Sequence, residues 1–363
     1  MKYSLAPLAM QPAPGLWRWA GLLPPVDSAH RVTLHEGNTP LVPLTQAAHG
    51  PRLLLKNETG NPTWSWKDRP NAVSISVARH FGFSRAVAKS TGNHGNAVAA
   101  YSAAAGIAAT VLCNPDTPAL QLALMEGYGA RVVRGGCQDK ILDRMVASQG
   151  YFPCTILCPR AGYSNPFGIE GFKTIAFEIV EALGGVAPAR VFIPVGSGDG
   201  VYGIWKGFRE LAERNRIPAA PKIVACQPEG ANSAAKAWRE GRNHASPLES
   251  MSTAALSVAE PVTGDHALRA VYESGGEFRE VSEFAIREAA AALRKKGFAL
   301  ELASALPYAC AAQPAGSEPS AEGETWVLIG SGAAVKWPET LLAGYCKPAA
   351  LDSDLEELPD LGQ

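Results

Sequence analysis

The chain has 363 residues, 47% of them hydrophobic, and a formal net charge of −1; it is long enough for two domains and lacks the basic excess of a nucleic-acid or anionic-membrane binder. No stretch approaches the eighteen apolar residues of a membrane span, and the first residues lack a signal-peptide pattern, so a cytoplasmic protein is expected. The seven cysteines are dispersed; Cys154 and Cys158 are close but have no second pair to complete a zinc site, so reduced thiols and no metal are expected.

Residues 1–30 are rich in Pro, Trp and Gly without a period, and Leu16-Trp17-Arg18-Trp19 can anchor this arm on the body. Glu36-Gly37-Asn38-Thr39-Pro40-Leu41 reads as an ordered loop before Val42-Pro43-Leu44. Leu53-Leu54-Leu55 reads as a short buried strand. A turn-rich run then leads to Lys67, set between Trp66 and the pair Asp68-Arg69. Val73, Ile75, Val77, Ala78 and Phe81 fit the inner face of a helix, so Lys67 stands at or near a helix start. There the helix dipole and the Arg69 charge both favour a neutral amine, which can attack an aldehyde. Taken by itself, such a lysine reads foremost as a solvated charge at a helix N-terminus, and the rest of the chain has to move that reading.

Beyond this helix, strands and helices alternate. Residues 86–88 form an apolar run ending in Lys89-Ser90-Thr91-Gly92-Asn93-His94-Gly95-Asn96; a small-residue helix follows at 97–105 and a strand at 106–113. A helix at 118–128, a strand at 131–133 and a helix at 138–149 complete this half. Residues 163–172 read as a crossing loop, 173–183 as a helix and 190–195 as a buried strand. That strand runs into Gly196-Ser197-Gly198-Asp199-Gly200, and a helix resumes at 201–213. A strand, a glycine loop and a helix start make an anion site, although a plain tight turn has the same composition. A strand at 222–226 precedes a polar, turn-rich stretch at 227–265; a helix at 284–296 and a last strand at 325–329, ending in Gly330-Ser331-Gly332, follow. The residues from 349 are acidic. Alternation with short connections predicts α/β architecture with parallel sheets, whose ligands bind beyond the carboxyl ends of the strands.

A lysine amine, an Asn/Thr/Ser loop, a phosphate-cradling glycine loop and a terminal Gly-Ser-Gly loop together point to pyridoxal phosphate. In this combination, from about Leu16 to about Trp337, the chain resembles the fold-type II pyridoxal-phosphate enzymes, the tryptophan synthase β family, and among them the threonine synthases. The matching stretches are Glu36 to Leu41, Lys56-Asn57-Glu58, Ser65 to Arg69, Ser90 to Asn93, Asn165-Pro166, Glu170 to Ile179, Pro194 to Gly198, Gly203 to Phe208 and Leu328 to Gly332.

The resemblance implies two open, twisted, mostly parallel-sheet domains with the cofactor in the cleft between them. The larger would be residues 1–71 with 163–348, the smaller and mobile one 72–162, and 349–363 a loose tail. It implies that Lys67 holds the cofactor as a Schiff base and moves protons, and that Asn93 bonds the pyridine 3′-oxygen. Gly196, Ser197, Gly198, Asp199 and Gly200 would hold the phosphate, Ser331 the ring nitrogen, and Ser90, Thr91 and His94 the substrate carboxylate. Glu301 and Ser304 would line the cofactor's edge, or form a buried polar pair at a strand–helix join. A hydroxyl at Ser331 leaves the ring nitrogen unprotonated, which favours elimination and replacement over transamination. A homodimer and a small amino-acid substrate are also implied.

Departures from the threonine synthase pattern are specific. His94 stands where Thr is frequent, in a form similar to serine/threonine ammonia-lyases and racemases. Gly168 replaces an Arg suited to the phosphate of O-phosphohomoserine. Trp64 and Trp66 stand where Gly and Phe are usual, which implies a smaller or more apolar pocket. Asp199 brings a carboxylate into the phosphate loop. The expected activity is that of a threonine synthase-like lyase. The alternatives are β-elimination or β-replacement on serine, threonine, diaminopropionate or an O-activated serine, and a non-catalytic homologue.

Overall fold

The computed structural model describes residues 13–44, 50–90, 92–136, 138–155, 165–313 and 323–342. Thr91, Cys137, Cys158, Cys346, the first part of the crossing loop and the residues from 349 lie outside this set. Among the described residues no helix is long and apolar enough to cross a membrane.

Two sheets organise the chain. The strands are β1 (Leu41–Pro43), β2 (Arg52–Asn57), β3 (Arg85–Lys89), β4 (Ala108–Cys113), β5 (Arg131–Arg134), β6 (Phe152–Pro153), β7 (Arg190–Pro194), β8 (Lys222–Pro228), β9 (Glu277–Val281) and β10 (Thr325–Gly330). One sheet has the order β1-β2-β10-β7-β8-β9 and the other β5-β4-β3-β6. Every pairing is parallel except β1 with β2. Central strands such as β7, with Val191, Phe192 and Ile193 all buried, read as continuous apolar runs because both faces of a parallel sheet are covered. The covering helices are α1 (Asp68–His80), α2 (Asn93–Ala105), α3 (Ala119–Gly127), α4 (Gln138–Gln149), α5 (Lys173–Ala182), α6 (Asp199–Glu213), α7 (Ser233–Arg239), α8 (Asp265–Glu273), α9 (Glu283–Lys295) and α10 (Leu302–Ala312).

The α/β class with parallel sheets agrees with the sequence reading. The stretch at 227–265 differs: α7 lies within it, and α8 and β9 follow. The α7 segment is short and rich in alanine, so its periodicity is weak, and β9 gains its identity only by pairing with β8. The crossing loop contains a 3-10 turn at Gly168–Phe172 that leads into α5. Phe81, expected on the inner face of the Lys67 helix, is 61% exposed instead, because α1 stops at His80 and Gly82 turns the chain at φ +77°.

α1 is buried along most of its length, and its first turn is held by an ion cluster without solvent contact. Arg69 donates from Nε and Nη2 to Glu58 at 2.7 and 2.9 Å, and from Nη1 and Nη2 to Glu178 at 2.8 and 2.7 Å. Lys56 Nζ donates to Glu178 at 2.7 Å and to the Thr39 carbonyl at 2.6 Å. The Glu36-to-Leu41 loop closes the cluster: Asn38 N donates to Glu178 at 2.8 Å and Thr39 Oγ1 to Glu58 at 2.6 Å. Burial alone would neutralise these carboxyls. The Arg69 and Lys56 charges override it and hold Glu178 below the usual carboxylate range, and Arg69 does the same for Glu58.

Removing one partner from such a cluster strands the others without solvent. Arg69→Leu is therefore expected to destabilise the fold by about 3–5 kcal/mol in urea denaturation. A loss under about 1 kcal/mol would contradict this role for the cluster.

Candidate active site

The carboxyl ends of β3, β4 and β7 converge on a cleft of about 440 Å³, lined there by Lys89, Asn114 and Pro194. Lys67 enters it as the residue preceding α1 and is half-buried, its inner surface facing the cleft. Its Nζ lies 5.8 Å from the Trp66 ring centre and 5.6 Å from that of Phe172. Burial pushes its pKa down, while the Asp199, Glu260 and Glu301 charges pull it back. Arg69 does not supply the depression expected of it, because its guanidinium is saturated by Glu58 and Glu178. Backbone bonds strap the lysine segment to the last sheet loop: Trp66 N donates to the Ser331 carbonyl at 2.9 Å, and Ala333 N to that of Trp64 at 3.0 Å.

Asn93, the first residue of α2, lines the cleft wall. Its Nδ2 donates to both Glu301 oxygens at 3.0 Å, whereas its Oδ1 is buried and has no hydrogen-bond partner. Ser257 Oγ also donates to Glu301, at 2.9 Å. Ser331 is buried beside this group, and its hydroxyl is 2.8 Å from that of Ser304, which accepts the Gly332 amide at 2.7 Å.

Gly196, Ser197, Gly198 and Gly200 line the cleft at the N-terminus of α6, where first-turn amides lack helical acceptors. Gly198 adopts φ +101°, a conformation that side chains disfavour, and a Cβ there would meet that of Ala267 at 2.6 Å. A Cβ at Gly200 would collide with the Trp66 ring. The Asp199 carboxylate does not line the main cleft with its neighbours: Oδ1 lies 3.0 Å from Nε2 of His266 on α8. It flanks Lys67 in a small secondary pocket instead.

Of the residues assigned to the substrate, Ser90 and His94 line the cleft. Ser90 Oγ accepts the Gly92 and Gly95 amides at 3.2 and 2.9 Å, which fixes the start of α2. His94 Nε2 is 2.6 Å from the Cys154 carbonyl, and Asn71 Nδ2 is 3.2 Å from His94 Nδ1. Donation to the carbonyl assigns the proton to Nε2 and leaves Nδ1 accepting. Asn71 also donates to the Lys67 carbonyl at 2.8 Å, so it ties the histidine to the lysine backbone.

Trp66 forms part of the cleft wall, as the sequence suggested, but Trp64 does not; it is 41% exposed. Its φ of +58° explains why glycine suits that position. No side chain fits at 168, where a Cβ would collide with Ser74 Oγ and crowd the Pro70 carbonyl. Lys89, Glu260 and Trp337 complete the wall and were not singled out from sequence. Lys89 is the strand residue before Ser90, and its Nζ is 2.7 Å from Asp139. Burial raises the Glu260 pKa against the pull of Lys67 and Lys89. The Trp337 indole nitrogen is buried without a hydrogen-bond partner.

These residues fit pyridoxal phosphate on structural grounds. Half-buried Lys67 lines the cleft, a glycine loop at a helix start excludes Cβ atoms, and Asn93 on the cleft wall keeps an Oδ1 without a hydrogen-bond partner.

Burial, followed by the Lys67 charge, lowers the His94 pKa from 6.5 to about 4. Below the unfolded value of 6.5, the unfolded chain takes up a proton that the folded chain refuses, so this group's contribution to stability falls as the pH drops toward 4. The loss reaches at most about 3 kcal/mol. Denaturation of His94→Gln between these pH values should show a shallower acid slope than the wild type, and parallel slopes would contradict the neutral placement.

A family model described as pyridoxal-phosphate dependent enzyme matches residues 32–332. The threonine synthase of Methanocaldococcus jannaschii is 35% identical over 352 residues, covering 95% of this chain and 86% of the relative. That of Methanosarcina acetivorans is 33% identical over 357 residues, with 95% and 86% covered. Among solved structures, maize serine racemase superposes with a TM-score of 0.69 at 20% identity, covering 85% of this chain and 92% of that one, a likeness of fold. The chain belongs to the family of pyridoxal-phosphate dependent enzymes.

Proposed function

We propose that the chain converts O-phosphohomoserine and water to L-threonine and inorganic phosphate. The observation that carries this reading is the match to threonine synthases along 95% of the chain. Pyridoxal phosphate, when bound, supplies an aldehyde for a lysine amine and a conjugated ring that delocalises charge developing at the substrate α-carbon.

The chain's own residues supply the rest. Lys67 Nζ takes the α-proton and returns it, a task suited to an amine whose pKa is lowered by burial. The amides of Gly196 to Gly200 hold the cofactor phosphate at the start of α6; Asp199 acts there through its backbone, since its carboxylate is bonded to His266. Asn93 and Ser331 orient the ring, with Glu301 and Ser304 fixing those two side chains. Ser90, Thr91 and neutral His94 receive the substrate carboxylate. Movement of residues 72–162 against 1–71 and 163–348 closes the cleft and excludes bulk water, leaving the single water that the reaction consumes. A homodimer and a cytoplasmic location belong to the same proposal.

The position usually held by an arginine is Gly168, so the substrate phosphate needs another cation. Lys89 on the cleft wall takes that role, exchanging its Asp139 partner for the phosphate. That pair is partly exposed, with side chains 29% and 60% accessible, and is therefore weakly held. A second reading, β-elimination from serine or threonine, draws on the same glycine and on His94.

Purified enzyme given O-phosphohomoserine should release phosphate and form threonine. No phosphate release, with ammonia and a 2-oxo acid formed from serine or threonine, would overturn the first reading in favour of the second. Lys89→Met should raise KM for O-phosphohomoserine about 10-fold or more with kcat little changed, and an unchanged KM would remove Lys89 from the site.

A further inference from the structure

At the opposite end of α1 from Lys67, three metal-ligating side chains converge. Asp27 and His30 flank a short 3-10 turn at Ser28–His30, and His80 is the last residue of α1. One ring nitrogen of each histidine and one Asp27 carboxylate oxygen all lie within 4.8 Å of one another. Asp27 Oδ2 is 3.6 Å from His80 Nδ1 and 4.0 Å from His30 Nδ1. Both separations exceed hydrogen-bond length. Both Nδ1 atoms are nevertheless shut off from solvent and have no hydrogen-bond partner. The two imidazoles meet edge to face, with ring centres 5.5 Å apart at 71°.

Two ring nitrogens without a hydrogen bond, gathered about one carboxylate, are difficult to account for as a hydrogen-bond network. A shared cation accounts for all three. Donors about 2.0–2.1 Å from a tetrahedral ion stand roughly 3.4 Å from one another, so the two Asp27 separations of 3.6 and 4.0 Å need only a small contraction. Asp27 can supply it, because its side chain is 75% exposed on a surface turn. The turn is already docked on the helix: Ser76 Oγ, one turn before His80, accepts the Val32 amide at 2.7 Å.

We propose that Asp27, His30 and His80 bind a divalent transition-metal ion of the zinc class, with water completing the coordination. Imidazole and carboxylate donors suit zinc and its neighbours, whereas magnesium and calcium call for oxygen ligands alone. The ligands are brought together by folding, since fifty residues separate the two histidines in sequence (positions 30 and 80). The ion therefore stabilises the folded chain by mass action and clips the N-terminal arm to the helix that carries Lys67.

The test is calorimetric titration of chelator-treated holoenzyme with zinc chloride and, separately, magnesium chloride, alongside melting curves. One equivalent of zinc should bind and raise the melting midpoint, and magnesium should do neither. His80→Gln and Asp27→Asn should each weaken zinc binding about 10-fold or more and remove most of the midpoint rise. Asp27→Asn alters an exposed side chain, so it remains informative if His80→Gln fails to fold. No zinc uptake by the wild type, or uptake and midpoint rise unchanged in Asp27→Asn, would overturn the proposal; the latter would move the zinc to another site such as the cysteines.

Discussion

The buried contact between Arg69 and the carboxylates of Glu58 and Glu178 is the constraint on which the site depends. It joins four segments distant in sequence: the loop at 36–41, the end of β2, the first turn of α1, and α5. Arg69 is two residues from Lys67, so fixing its guanidinium from two sides fixes where the lysine emerges. The cluster also consumes its own charge. Lys67 consequently feels burial more than the neighbouring cation, and its neutral form is favoured by the low-dielectric wall of Trp66 and Phe172.

From that fixed point the site is assembled by backbone. Trp66 bonds the Ser331 loop, Asn71 bridges the Lys67 carbonyl to His94, and Glu301 holds Asn93. The positions are preorganised by short bonds between elements that the two sheets already bring together. The cleft wall opposite Lys67 is different in kind. Lys89 and Asp139, which line it, are partly exposed.

Much of this was legible in the sequence because the signals are local. A lysine before an amphipathic helix, a glycine loop between a buried strand and a helix, and a Ser-Gly pair at a strand end keep their meaning without tertiary knowledge. What the sequence hid was decided by distant partners. The Asp199 carboxylate turns away because His266, on another helix, receives it. Trp64 is left outside by a left-handed backbone, while Trp66, two residues on, lines the cleft. Glu260 and Trp337 reach the wall from stretches with no motif of their own. Helix α7 and strand β9 were missed because a short alanine-rich segment and an edge strand take their identity from what they pack against.

The central claim is that Lys67, held by the Arg69 cluster, is the residue that carries the cofactor. Borohydride reduction of the holoenzyme followed by peptide mapping tests it directly. The reduced pyridoxyl group should be found on Lys67, between Trp66 and Asp68. Labelling of Lys89 instead, or of the buried Lys56, Lys173 or Lys336, would contradict the account.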